Sequence, residues 1–243
     1  MNLRRFSFLL LLLSSITVLA QNEIQEQEGP VKLDSVPQTA DPLYREDQIY
    51  ASISYNLVQG KPEGYKQNSV STGVTFGVLR DFPVNPARTY AIAAGLGYSY
   101  NNIKHNLLVI ENTSGNTYTI QPESNFGRDK LVLHYLELPI EFRWRNSTAT
   151  DHKFWRVYLG FKLSYLLYDK AQFEDFENVA KLKVKGDNNV NKWVYGAYIS
   201  AGWNTWNLYA YYGLSPIYKD AVTDTGEKLK LNSLNLGLMF YIL

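Results

Sequence analysis

The sequence predicts an all-β fold, an eight-stranded antiparallel up-and-down transmembrane β-barrel with short turns at one end and long loops at the other. Three observations carry this expectation. From residue 48 onward, apolar and polar residues alternate with period two, and such stretches recur eight times. The connections between the stretches alternate long and short. The chain is rich in aromatic residues (19 Tyr, 5 Trp and 11 Phe among 243), and many fall where a stretch ends.

The elements follow in order. The first strand presents Ile49, Ala51, Ile53, Tyr55 and Leu57 on one face, with Gln48, Tyr50, Ser52, Ser54 and Asn56 on the other. The second runs from Val70 to Val78, alternating with Ser71, Gly73, Thr75 and Gly77. The third sets Tyr90, Ile92, Ala94, Leu96 and Tyr98 against Ala91, Ala93, Gly95, Gly97 and Ser99. The fourth sets Leu136, Leu138, Ile140, Phe142 and Trp144 against Glu137, Pro139, Glu141 and Arg143. The fifth spans Trp155 to Tyr165, with Arg156, Tyr158, Gly160, Lys162 and Ser164 on its second face. The sixth covers Trp193 to Trp203, the seventh Leu208 to Leu214, and the eighth Leu234 to Ile242.

The same alternation fits a soluble sandwich with its apolar face inward or a membrane barrel with that face in lipid. The second faces decide. They carry Gly, Ser, Asn and charged residues, which suit the narrow interior of a small barrel. Glycine and serine recurring on exposed strand faces would weaken a soluble sheet and solubilise it poorly. Short links near 81–88, 146–153 and 205 alternate with long ones near 102–129, 169–191 and 217–229, the pattern of barrels with short periplasmic turns and long outer loops. No stretch of 18 apolar residues suggests a membrane helix.

Upstream of the strands, residues 1–20 read as a cleaved secretory signal, with Arg4 and Arg5 ahead of the apolar run from Phe6 to Leu13 and Val18, Leu19 and Ala20 before the cut. Residues 21–47 hold seven acids against two bases and three prolines, a flexible acidic periplasmic leader of net −5. Residues 48–243, the barrel domain, carry net +4. The whole chain's net charge of +1 argues against a nucleic-acid binder, and the lack of cysteine excludes disulfides and thiolate metal sites. An exported barrel of this kind is expected in the outer membrane of a Gram-negative cell, in contact with lipid and lipopolysaccharide.

Within this frame the aromatics form two girdles at the membrane interfaces. Phe82, Tyr90, Trp144, Trp155, Trp203 and Trp206 lie beside short turns; Tyr98, Tyr100, Tyr165, Tyr168, Trp193 and Tyr195 lie beside long loops. The neighbouring fourth and fifth strands turn Glu137, Glu141, Arg143, Arg156 and Lys162 inward, and charges so confined must pair. The expectation is an ion-pair network filling the lumen; the alternative is the selectivity ring of a narrow porin-like channel. Glu137 and Glu141 lie about 13 Å apart along one strand, too far for a hydrolase pair. His105 falls past the third strand, His152 in a turn, and His134 on the lipid-facing side, so a lipid-modifying barrel enzyme has little to work with. No catalytic Gly-x-Ser-x-Gly or His-Glu-x-x-His occurs, and no cofactor or metal is implied. A long loop carries Phe173, Phe176 and the basic run Lys181, Lys183 and Lys185, a surface suited to anionic lipopolysaccharide.

The run His134-Tyr135-Leu136-Glu137-Leu138-Pro139-Ile140, with Gly160-Phe161-Lys162-Leu163-Ser164-Tyr165 on the next strand, resembles the PorT-like outer-membrane β-barrel family. The segment Tyr211-Tyr212-Gly213-Leu214-Ser215-Pro216-Ile217-Tyr218 is similar to that family's segment before the last outer loop. The resemblance covers about residues 48–243 and implies a non-enzymatic envelope component, structural or assembly-associated, with type IX secretion proteins as partners. The chain departs from the family's pattern in its long acidic leader and in ending on Leu243 rather than an aromatic residue.

Overall fold

The computed structural model describes residues 47–67, 69–113, 115–122, 129–146, 154–174 and 181–242. The signal and all of the leader but Asp47 lie outside the described residues, as do His152 and Phe176.

Eleven strands are present: β1 (Gln48–Gln59), β2 (Thr72–Pro83), β3 (Tyr90–Lys104), β4 (Leu107–Asn112), β5 (Gly115–Ile120), β6 (Lys130–Arg145), β7 (Trp155–Glu174), β8 (Lys181–Lys185), β9 (Trp193–Trp203), β10 (Trp206–Gly213) and β11 (Asn232–Ile242). Eight of them close a barrel in the order β6-β3-β2-β1-β11-β10-β9-β7, with β6 pairing β7 to seal the cylinder. Every barrel pair is antiparallel, and the first strand closes on the last through Ile49↔Ile242 to Gln59↔Asn232. Closure satisfies the backbone of every spanning strand, which a lipid environment demands.

The tightest turn, Asn204-Thr205, joins Trp203 to Trp206, and Asn204 takes the left-handed conformation there at φ 54°. Pro139 sits inside β6 despite lacking a backbone donor. The ladder to β3 breaks at that point, skipping from Ala94↔Ile140 to Gly97↔Glu137.

Two features differ from the sequence expectation. The second strand begins at Thr72 and continues to Pro83, so Asp81 is a strand residue rather than part of a turn. The long loops also hold regular structure. β4 and β5 form a hairpin in one of them, and β8 extends the sheet along the outer end of β7.

Apolar side chains cover the barrel's exterior. Ile49, Ile53, Val74, Val78, Leu96, Leu138, Ile140, Phe142, Leu159 and Leu208 are all exposed to the surroundings rather than packed inside. On a soluble protein this would be an untenable apolar surface; around a barrel it is the lipid-facing band.

Candidate functional site

The lumen is where charge and chemistry concentrate, and it is filled in three layers. Nearest the short turns lies an ion-pair network. Arg145 grips Asp81 bidentately, with Nη1 donating to Oδ1 at 2.9 Å and Nη2 to Oδ2 at 2.8 Å. Arg143 donates from Nη1 to the same Asp81 Oδ1 at 3.0 Å and from Nε to Glu141 Oε2 at 2.7 Å. The other Glu141 oxygen accepts from the hydroxyls of Tyr198 at 2.7 Å and Tyr241 at 3.0 Å. All three members of the Arg143–Asp81–Arg145 cluster are fully buried. Outside the mouth, Asp47 accepts from the backbone N of Asp81 at 2.8 Å, tying the chain entering β1 to β2.

Arg156 is also buried, and among the described residues it has no carboxylate partner. Its guanidinium lies 4.4 Å from the Phe154 ring centroid, 5.6 Å from that of Tyr241 and 5.8 Å from that of Tyr158. These ring faces are its main electrostatic partners. The described lumen thus holds four cations (Arg143, Arg145, Arg156, Lys162) against three carboxylates (Asp81, Glu137, Glu141).

The middle layer is aromatic. Tyr50, Tyr158, Tyr198, Tyr209, Tyr211 and Tyr241 pack together with Leu79 and Met239. Lumen glycines make room for them. A Cβ at Gly160 would lie 2.1 Å from the Tyr198 ring, and one at Gly97 would lie 2.0 Å from the Tyr50 hydroxyl oxygen. Lys162 is held above this collar by Glu137 Oε2 at 3.0 Å and donates to the Tyr209 hydroxyl at 3.1 Å. A cavity of about 30 Å³ remains beside it, lined by polar groups including Ser54, Asn56, Asn101, Ser164 and Asn235. It has room for a water or two and for no solute.

The outer layer is apolar. Val58, Ile103, Leu133 and Leu166 of the barrel strands pack with Leu107, Val109 and Tyr118 of the β4–β5 hairpin, Val184 of β8, and Ile217, Tyr218, Leu229 and Leu231 from the last long connection. The bridges Tyr118↔Thr223 and Val190↔Tyr218 stitch three connections into one cap. Buried polar groups there are mostly matched. The Tyr118 hydroxyl donates to Asp187 Oδ2 at 2.6 Å, and the Asp187 backbone N donates to Asp169 Oδ2 at 2.8 Å. His105 stacks on Tyr65 at 5.7 Å and accepts at Nδ1 from the Leu107 backbone N at 3.0 Å. Burial lowers its pKa to about 4. Asp129 accepts from the Glu174 backbone N at 3.2 Å, yet burial pushes its carboxyl up to about 7. The interior is therefore not polar throughout: its outer part is a conventional apolar core built where strands rise past the membrane.

All five charged residues expected in the lumen point into it: Glu137, Glu141, Arg143, Arg156 and Lys162. Sequence reasoning missed Asp81 and Arg145, which complete the network. Arg145 shares the parity of Arg143 and was findable; Asp81 was hidden by ending the second strand too early. It also missed Tyr198 and the collar's scale: alternation put Tyr50 and Tyr158 on inner faces, but nothing in it gathered the six tyrosines into one layer. The girdle residues Tyr90, Trp144, Trp155, Trp203 and Trp206 at one end and Tyr165, Trp193 and Tyr195 at the other are exposed on the outer wall, with Tyr98 half-buried. They pair across strands, as in Trp155–Trp203 at 5.4 Å and Tyr165–Trp193 at 4.8 Å.

With the barrel and its lumen described, the sequence comparison becomes informative. The family model for the outer membrane protein beta-barrel domain matches residues 20–219. The chain belongs to this family. The match takes in seven of the eight barrel strands of the outer membrane protein beta-barrel domain, and β11 lies beyond it. The family places the protein in the outer membrane. No curated protein matches the chain. Among solved structures it is similar to Ail, the attachment invasion locus protein of Yersinia pestis, in complex with the heparin analogue sucrose octasulfate. That likeness has 13% identity and a TM-score of 0.39, covering 82% of this chain and all of that one. It is more distantly similar to a mutant of the Rh. blastica porin, at 8% identity and a TM-score of 0.21, covering 82% of this chain and all of the porin.

Proposed function

We propose that this outer-membrane barrel is a non-catalytic, non-conducting envelope component, structural or assembly-associated in the manner of the PorT-like proteins it resembles, with secretion-associated envelope proteins as its partners. The observation that carries this reading is the double closure of the lumen. An ion-pair and tyrosine plug fills the end near the short turns, and an apolar cap covers the other. Between them, among the described residues, lies a cavity of about 30 Å³. A path for solute would require moving fully buried Arg143 and Arg145 off their carboxylates, which costs several kcal/mol.

The non-catalytic part of the reading draws support from the described histidines. His105 is buried in the cap, and His134 stands on the outer wall among Tyr98, Tyr100 and Tyr168. Among the described residues, neither sits beside a lumen carboxylate or hydroxyl; the partner of His134 Nδ1 is the Tyr98 hydroxyl on the outer wall.

Planar-bilayer recording tests the closed lumen. The refolded chain is expected to be electrically silent at moderate voltage. Steady unitary currents whose selectivity reverses with Arg156→Glu or Lys162→Glu would establish the channel reading instead. Lipid mass profiles of a deletion strain address catalysis: a missing modified lipid would overturn the non-catalytic reading. Crosslinking from engineered cap cysteines, followed by mass spectrometry, tests the partnership with envelope proteins.

A further inference from the structure

One side of the barrel carries an arrangement that the closed lumen does not use. At the outer ends of β3, β6, β7 and β8, outward-facing lysines stand in register. Lys104 lies directly opposite Lys130, and Lys170 directly opposite Lys185. Gln172 pairs with both Lys130 and Lys183, so the row across four strands reads Lys104, Lys130, Gln172, Lys183. The inward partners fix the direction: Val184 and Ala171 enter the cap core, which turns Lys183, Lys185 and Lys170 out.

Like charges directly opposite each other on one sheet face are destabilising. Among the described residues, none of these five lysines has a carboxylate within ion-pair distance. Lys181, beyond them, does, at 2.6 Å from Glu174. The nearby acids Asp129 and Asp169 are buried in the cap instead. Five cations are thus held within adjacent strands about 4.8 Å apart and two rows about 7 Å apart.

What lies beneath them defines the ligand. The next row down is Tyr100, His134 and Tyr168, in register and in edge contact. Below that the same strands expose Leu96, Leu136, Leu138 and Ile140. Cations, then an aromatic shelf, then an apolar wall is the profile of an amphiphile with phosphates on top and acyl chains below. At the outer ends of β1, β2 and β11 the strands present Gln59, Thr72 and Asn232 instead.

We propose that this face is a specific binding site for a phosphorylated glycolipid of the outer leaflet, with its phosphates on Lys104, Lys130, Lys170, Lys183 and Lys185 and its acyl chains on the wall below. The proposal is independent of whether the lumen conducts.

The test refolds the full chain into phosphatidylcholine vesicles, with or without a bisphosphorylated, multiply acylated glucosamine disaccharide lipid. Lipid retained through detergent extraction is then read by native mass spectrometry. Wild type should retain the phosphorylated lipid. Lys130→Gln/Lys170→Gln should retain about tenfold less or lower still, while Lys228→Gln/Lys230→Gln, altered in the last connection, should match wild type. Heat-modifiable migration in phosphatidylcholine alone confirms that each variant folds, and relief of like-charge repulsion should leave the lysine variant at least as heat-stable as wild type. Equal retention by Lys130→Gln/Lys170→Gln overturns the site. So does equal retention of the same lipid stripped of its phosphates. Competition by millimolar inorganic pyrophosphate in lipid-free detergent, as strong as that by the lipid itself, would assign the lysines to free phosphate rather than to a glycolipid.

Discussion

Asp81→Asn is the most informative single change in the lumen. Asp81 grips Arg145 through two hydrogen bonds and shares Arg143 with Glu141. The substitution keeps the volume and removes the charge, taking the bidentate carboxylate from the buried Arg145 and raising the cation excess of the described lumen from one to two. Breaking a buried pair by removing one partner costs about 3–5 kcal/mol. Divided by a urea slope of roughly 2–3 kcal/mol per molar, this moves the unfolding midpoint down by about 1–2.5 M. Intrinsic tryptophan fluorescence of the chain refolded into vesicles, titrated with urea, reads it directly. The double variant Asp81→Asn/Arg145→Met removes the cation that Asp81 grips as well and leaves Arg143 on Glu141, so it should recover half or more of the loss. A midpoint for Asp81→Asn within about 0.3 M of wild type, or a double variant as weak as the single one, would refute the view that the pairing holds this end of the barrel together.

Arg156→Met should be nearly neutral, within about 1 kcal/mol in the same titration, because the guanidinium rests on rings rather than a carboxylate and its loss strands no partner. Gly160→Ala should destabilise by roughly 1–3 kcal/mol, since its Cβ would displace the Tyr198 ring that donates to Glu141. The cap should respond to pH through two groups of opposite sign, read by amide hydrogen exchange at Leu107–Asn112. His105 titrates near 4 when folded and near 6.5 when unfolded, so the unfolded chain takes up its proton first; its contribution is whole above about 6.5 and is lost as pH falls to about 4. Asp129 titrates near 7 when folded and near 3.8 when unfolded, so its contribution is whole below about 3.8 and is lost as pH rises through 7. His105→Phe should therefore flatten the acid side of the profile and Asp129→Asn the neutral-to-alkaline side, with protection at pH 8 higher in Asp129→Asn than in wild type.

Strand parity is legible in this sequence because each barrel strand separates two solvents, lipid and a packed lumen, and a one-residue slip would exchange them. That is why Glu137, Glu141, Arg143, Arg156 and Lys162 could be placed inward from alternation alone. Asp81 escaped because Arg80-Asp81-Phe82-Pro83 reads as a polar turn ending in proline, whereas β2 carries it to the lumen before Pro83 ends the strand. Tyr198 escaped for a different reason. A tyrosine suits a membrane interface and a crowded interior equally, and only its cross-strand neighbour distinguishes them: Tyr198 lies beside Gly160, Tyr195 beside Leu163. The cap was illegible because its contacts are set by meetings of distant connections, such as Tyr118 with Thr223, that no local period encodes.

The cap also sets how freely the cell-facing surface can change. Loose loops tolerate insertion and drift, but Leu107, Val109, Val184, Leu229 and Leu231 belong to a shared core, so an epitope change there would be felt as misfolding rather than as a new surface. Tolerance should concentrate at the turns that project from it. Gly226, at φ 86° with open space around it, is the natural place to insert a reporter tag, and surface variation among related sequences should gather at such tips while the cap beneath them stays nearly constant.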